Sequence, residues 1–366
     1  MLAWRFGVKG LVSSVRAAGS ARRIRVHGYI LSSMLPARFL CIALAASLAV
    51  HAQENSGEAK ARQLQALLKQ APQLPLKKVT VTIQAPRADF IVGRIVSVAL
   101  DRRGVAYVLH RGNQADPVIA VDRNGKVLRS WGKGMFQTPH SIKVDPAGNV
   151  WTTDAGSSAV IKFSPEGKKL EEFVLGDSPT GKDCVYPATP SNGNMDFCGT
   201  TDIAFAPDGR LVITDGYGKM RILLYSAEGK RIHEWGGPGD GPGQFHVPHG
   251  LALDAKNVLY VADREGARIQ RFDLDGRYLG EWANLGKAGA IRFVNGAVWA
   301  AIRTLEPASQ TPGAGPSIWV IKIDPASGKI LGKIETTGTD FIEVAENGEM
   351  LAGATTGGFF WYQRGE

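Results

Sequence analysis

The chain has 366 residues, with 43 Lys and Arg against 34 Asp and Glu, 44 glycines and three cysteines. Seven of the basic residues (Arg5, Lys9, Arg16, Arg22, Arg23, Arg25 and Arg38) fall within residues 1–52, which contain no acid, so the rest is close to neutral and no nucleic-acid partner is indicated. Abundant glycine with so few cysteines suits a turn-rich all-β chain better than a disulfide-stapled one.

In chain order, residues 1–33 read as an extended or mis-assigned N-terminus, with Met34 as the true start. Residues 34–52 combine a positive start at Arg38, an apolar run from Phe39 to Val50, and a small-residue pattern at Val50-His51-Ala52. That is the form of a secretory signal peptide, too short to span a bilayer stably. Cys41 sits inside the apolar run, far from the cleavage pattern, so the run does not read as a lipoprotein anchor. The expectation is an exported chain, periplasmic or extracellular, monomeric and with no stable membrane span once the signal is removed. Only Cys184 and Cys198 then remain. In an oxidising compartment they most simply pair with each other; two free thiols are the alternative.

Residues 53–76 form a leader. Gly57 to Leu74 reads as one short amphipathic helix with Leu64, Leu67 and Leu68 between charged positions, ending before Pro72 and Pro75; it packs on the main domain or serves as a tether. Lys77 to Ile83 alternates with period two and is rich in β-branched residues, which predicts a strand. The remainder of residues 77–366 is a repeat. The sentence FQTPHSIKVDPAGNVWTTDAGSSAVIKF, from Phe136 to Phe163, returns as FHVPHGLALDAKNVLYVADREGARIQRF, from Phe245 to Phe272, and with a changed opening from Phe197 to Tyr225. A further copy begins at Val98, and two weaker ones at Ala290 and Ile342. Two hairpins per copy and six copies predict a six-bladed β-propeller. The last copy is one strand short, so the strand at Lys77 to Ile83 is expected to pair beside Phe359 to Tyr362 and seal the ring.

In such a ring the first strand of each blade lines the central channel. Counting back eight residues from the turns at Gly148, Gly209, Asn257 and Gly348 places His140, Thr201, His249 and Asp340 at the channel mouth. Imidazoles from different blades at one mouth can converge on a metal, and Asp340 can add an oxygen ligand while leaving a position open. The plainer alternative is that Pro-His is a favoured corner of the repeat, each ring bonded to neighbouring backbone. Arg111, Tyr217 and Arg264 stand on the loops after the second strands, on the same side: two carboxylate-binding forks and a phenol. Asp154, Asp215 and Asp263 recur at one register in successive blades and read as turn caps.

The order of the segments FQTPH, VWTTD, FCGTTD, TDGYG, VPHGLAL and ADREGARIQ resembles the peptidyl-α-hydroxyglycine α-amidating lyase family, from about Gly93 to the end of the chain. The resemblance implies a six-bladed propeller of the NHL-repeat type. It also implies a zinc ion held by three channel histidines and surrounded by a tyrosine and two arginines. The implied reaction splits a C-terminal α-hydroxyglycine into a peptide amide and glyoxylate. By segment, two histidines match His140 and His249, the tyrosine Tyr217, and the arginines Arg111 and Arg264. Asp340 stands where the third histidine is expected. A family calcium held partly by backbone carbonyls would find Val98 and Ile142 here, but Phe341 stands where its acidic ligand is expected. Gly218 stands where a cysteine is expected, which leaves Cys184 as the partner for Cys198.

Two functions from different classes fit. One is an exported zinc-dependent lyase of hydroxyglycine-type peptides, with Tyr217, Arg111 and Arg264 catalytic and His140, His249 and Asp340 on the metal. The other is a non-catalytic NHL-repeat propeller that binds a peptide, glycan or protein partner. A lactonase-type propeller would want several carboxylates and an Asn around calcium, and the mouth register supplies only Asp340.

Overall fold

The computed structural model describes residues 57–190, 194–305, 318–337, 341–353 and 357–365. Asp340 and the whole of the signal-peptide region lie outside them. The leader is helix α1 (Gly57–Gln70), followed by strand β1 (Leu76–Thr82). Leu64 and Leu68 are buried against Trp282, Leu285 and Ile302 of the main domain, so the helix packs. Leu67 faces solvent instead, because the buried stripe is only two leucines wide.

Six four-stranded antiparallel sheets follow. Blade one is β2 (Arg94–Leu100), β3 (Ala106–Arg111), β4 (Val118–Val121) and β5 (Val127–Trp131). Blade two is β6 (Pro139–Val144), β7 (Val150–Asp154), β8 (Ala159–Phe163) and β9 (Lys169–Val174). Blade three is β10 (Asp202–Phe205), β11 (Leu211–Asp215), β12 (Arg221–Tyr225) and β13 (Arg231–Gly236). Blade four is β14 (Pro248–Leu253), β15 (Leu259–Asp263), β16 (Arg268–Phe272) and β17 (Tyr278–Ala283). Blade five is β18 (Lys287–Val294), β19 (Ala297–Arg303), β20 (Ile318–Ile323) and β21 (Ile330–Thr336). Blade six is β22 (Ile342–Val344), β23 (Met350–Gly353) and β24 (Gly358–Arg364), completed by β1.

The first strands touch one another around the full circle, β2 to β6, β6 to β10, and so on until β22 meets β2 again. They and the second strands are almost wholly buried, whereas the outermost β9 and β13 face water. The hairpin turns that set the register are alike. The backbone N–H of Gly148, Gly209 and Gly348 each donates to the carbonyl three residues earlier. In blade four the same turn uses Asn257, whose φ of 61° lies in the left-handed region that asparagine tolerates better than other side chains. The recurrent aspartates cap the corners as expected. Asp154 accepts from the backbone N–H of Gln137, Thr138, Gly156 and Ser157, and Asp263 from His246 N–H and Arg268 Nε.

Ring closure falls where the repeat count put it. β1 pairs antiparallel with β24 from Leu76 opposite Arg364 to Thr82 opposite Gly358. Trp361, opposite Val79, is fully buried among Val81, Ile83, Phe90 and Phe359, and its indole N–H donates to Glu349 Oε2 at 3.1 Å. Trp361→Ala is expected to lower stability in urea unfolding by about 3–5 kcal/mol. Leu128→Ala, on the exposed outer strand of blade one, should change it by no more than about 0.5 kcal/mol. Equal effects would mean that the closing blade is not part of the cooperative core.

Candidate functional site at the channel mouth

Both mouth histidines occupy β-bulges. The pairing of β6 with β7 steps from Pro139 to Ser141, and that of β14 with β15 from Pro248 to Gly250, so His140 and His249 are the extra residues. A bulge frees one residue from the ladder and re-aims its side chain. Just before His249, Val247 takes a φ of 119°, a conformation that costs a β-branched residue and is found mostly where a site holds it in place.

Each ring is then fixed by a carbonyl of the next blade. His140 Nδ1 donates to Thr201 O at 2.7 Å, and His249 Nδ1 to Gly289 O at 2.6 Å. Thr201, the mouth residue of blade three, therefore acts through its backbone. Gly289 is itself the extra residue of a bulge between Ala288 and Ala290. With Nδ1 carrying the proton, both Nε2 atoms present lone pairs. They meet at the Tyr217 hydroxyl, which lies 3.2 Å from His140 Nε2 and 3.0 Å from His249 Nε2. Burial, reinforced by the nearby His249, Arg111 and Arg264, holds the His140 imidazole well below its usual range, so it is neutral at neutral pH.

The arginines close the site from two sides. Arg264 Nη1 donates to the Tyr217 hydroxyl at 2.9 Å and its Nε to Glu265 Oε1, which faces Lys287 through its other oxygen. Arg111 Nε donates to Pro139 O at 3.0 Å, and its guanidinium lies 4.8 Å above the Phe197 ring. Below the histidines Phe341 is buried, its ring centroid 5.2 Å from that of His140 and 5.4 Å from that of His249. Above, Val185, Tyr186, Pro187, Thr189 and Phe197 join Tyr217 and Arg264 around a cavity of about 360 Å³.

Five of the six residues singled out from the sequence are thus brought to one place: His140, His249, Tyr217, Arg111 and Arg264. Asp340 lies outside the described residues. Among the described residues no three His, Cys, Asp or Glu side chains form a group that could hold a metal, so the histidine pair is what there is to test for zinc. Its donor set is of the right kind. Two neutral imidazoles with Nδ1 tied to carbonyls and Nε2 turned inward have the tautomer and the outer hydrogen bonds of metal-ligating histidines. Moreover, the phenol has one proton and two imidazole nitrogens at hydrogen-bonding distance, while Arg264 already donates to its oxygen.

The channel below is differently furnished. Lys143 Nζ donates to Asp202 Oδ2 at 2.7 Å, to Ile203 O at 2.6 Å and to Leu251 O at 2.9 Å. Ile203 and Leu251 stand two residues after Thr201 and His249, the register in which Ile142 follows His140.

A family model described as a six-bladed β-propeller matches residues 198–285. The chain is 34% identical over 226 residues to peptidyl-glycine alpha-amidating monooxygenase of Mus musculus, covering 54% of this chain and 22% of that protein. It is 30% identical over 220 residues to peptidyl-alpha-hydroxyglycine alpha-amidating lyase 1 of Drosophila melanogaster, covering 51% and 39%. It is also 30% identical over 208 residues to NHL repeat-containing protein 3 of Mus musculus, covering 54% and 57%. The chain is related to the α-amidating lyases and to NHL-repeat proteins. It spans between 22% and 57% of the length of these curated relatives. A catalytically inactive virginiamycin B lyase from Staphylococcus aureus superposes with a TM-score of 0.52 at 15% identity, over 79% of this chain and 99% of that one, which speaks for the fold alone.

Sequence reasoning missed the aromatic wall. Cys184 and Cys198 are disulfide-bonded, with Cα atoms 4.5 Å apart, and Val185 and Phe197 stand immediately inside them. Tyr186 and Phe197 form an isolated bridge, in which Phe197 N–H donates to Tyr186 O at 3.0 Å. The two cysteines were visible in the sequence; that they clamp a wall of the site was not. Thiol titration of denatured, unreduced protein beginning at Gln53 is expected to find no free cysteine. Recovery of two would remove the clamp.

Proposed function

We propose that the chain is an exported, metal-dependent lyase that splits a peptide ending in α-hydroxyglycine into the peptide amide and glyoxylate. The observation that supports this most is the meeting of two imidazole lone pairs on one phenol beside two guanidinium groups. The substrate is a hemiaminal carrying a carboxylate. Arg111 and Arg264 would hold that carboxylate, and Arg264 would also lower the cost of a phenolate at Tyr217 by donating to its oxygen. Tyr217 is the general base. It takes the proton of the substrate hydroxyl; the C–O double bond forms as the C–N bond breaks; the electron pair leaves on the amide nitrogen, which is protonated to the product amide. The same proton can return from Tyr217, so the reaction releases none. His140 and His249 would hold a zinc ion, with Asp340 proposed as the third ligand, and bound there it would supply Lewis acidity toward the substrate hydroxyl. Phe341 keeps the floor of the site apolar beneath them. The chain is proposed to work as a monomer.

The second reading, a binding propeller, draws on the 30% identity to NHL repeat-containing protein 3, a level of likeness that the amidating lyases share. Two substitutions separate the readings. His249→Ala is expected to abolish both zinc content, by elemental analysis, and turnover of an α-hydroxyglycine peptide. Tyr217→Phe should keep the zinc and lose about 10²–10⁴-fold in kcat. A wild-type protein with neither zinc nor turnover would favour the binding propeller.

A further inference from the structure

We propose that the cavity behind the disulfide is the subsite for the residue preceding the α-hydroxyglycine, and that it selects an aromatic or large aliphatic side chain there. This rests on the lyase reading of the site. Three observations carry it. The cavity begins at the catalytic groups themselves, since Tyr217 and Arg264 form part of its lining. Its remaining walls are Val185, Tyr186, Pro187, Thr189 and Phe197, with no acidic side chain among them. Its volume of about 360 Å³ suits one amino-acid side chain with part of its backbone.

The wall is also pre-formed. The rings of Tyr186 and Phe197 stand edge-on to Tyr217, with centroids 5.6 and 5.3 Å away, and the disulfide pins both ends of the segment that carries them. A substrate whose carboxylate lies between Arg111 and Arg264 has its scissile nitrogen near Tyr217, so the preceding residue is directed along the cavity. An acidic side chain there would lose its hydration against Val185, Pro187 and Phe197, while the Arg264 guanidinium at the cavity's edge is engaged by the substrate's own carboxylate.

The test compares kcat/KM for N-acetyl-Phe-, N-acetyl-Gly- and N-acetyl-Asp-α-hydroxyglycine in the zinc-loaded wild-type protein. It is paired with calorimetric binding of N-acetyl-Phe-Gly and N-acetyl-Asp-Gly, which lack the reacting hydroxyl. A preference for Phe over Asp of roughly 10–200-fold is expected. Tyr186→Ala, at a partly exposed loop position, should shrink that preference mainly through KM. Turnover with equal kcat/KM for the three substrates would overturn the subsite and leave the lyase reading standing. No turnover, but tighter binding of the Phe ligand that is lost in Tyr186→Ala, would overturn the lyase reading and keep the subsite. Binding of neither ligand would remove the subsite.

A separate observation, independent of the reaction, bears on calcium. We infer that the Lys143 ammonium is the channel's own structural cation and occupies the carbonyl register in which the resemblance implies calcium. Its oxygens come from β10 and β14, so with its own β6 it ties three blades together. No acid stands at Phe341 to help neutralise a divalent ion. Among the described residues Asp202 Oδ1 is buried with no hydrogen-bond partner, so removing the lysine side chain leaves a carboxylate and two carbonyls, a hard oxygen set suited to Ca²⁺. Equilibrium dialysis of the wild-type protein against radiolabelled calcium at 1 mM is expected to show no bound ion. Lys143→Ala should bind one and show a Tm that rises with calcium. Stoichiometric calcium on the wild-type protein would overturn the inference even if the variant failed to fold.

Discussion

The carbonyl oxygens of Ile203 and Leu251 and the carboxylate of Asp202 converge on one buried point of this ring, and such a concentration of negative charge and dipole needs a cation. Lys143 supplies it from within the chain. Its ammonium is almost wholly buried, and burial lowers its pKa to about 8 even with Asp202 alongside. A buried ion pair is seldom a large source of stability against an apolar alternative, but removing one member strands a charge. The contact therefore works as a constraint on geometry more than as glue. It sets the spacing of the first strands of blades two, three and four, the blades that carry His140, Tyr217 and His249. Across the channel Arg292 does related work, donating to Ile291 O and to Glu343.

The site above that constraint is made by local departures from the repeat. A regular first strand would leave its mouth residue in the ladder, as Thr201 is, bonded through its backbone to Thr214. The bulges at His140 and His249 remove those residues from the ladder. The bulge at Gly289 then turns a carbonyl outward to receive the second ring. The same ring architecture in other proteins supports other chemistry, because function resides in such departures and the fold is their carrier.

How far the chain could be read in advance follows from this division. Blade number, the closing strand and the mouth register were legible because six imperfect copies correct one another: a turn glycine blurred in one copy is clear in the next. The placement of His140 and His249 in one register was legible for the same reason. The bulges were not, since the extra residue is only defined against its partner strand. Nor was the role of Gly289, which has no side chain to signal it, or that of Lys143, whose three oxygens lie far away in sequence. Tyr186 belongs to no motif, and it is the fold around the disulfide that sets it against Tyr217.

The seal between β1 and β24 has a consequence for how the molecule comes to be folded. Every other sheet contact inside a blade joins neighbours in sequence and can form as soon as its hairpin exists. The pairing of Leu76 with Arg364 joins the two ends of the propeller and cannot begin until the last strand has been synthesised. Loop-closure entropy rises only slowly with length, but such non-local pairing is slow. Until it forms, β24 presents an open edge whose residues include Phe359, Trp361 and Tyr362, a template for pairing with another chain. The interval between making β24 and docking β1 is thus the stage at which this protein is most exposed to aggregation, and the rate of that one step sets how long it lasts.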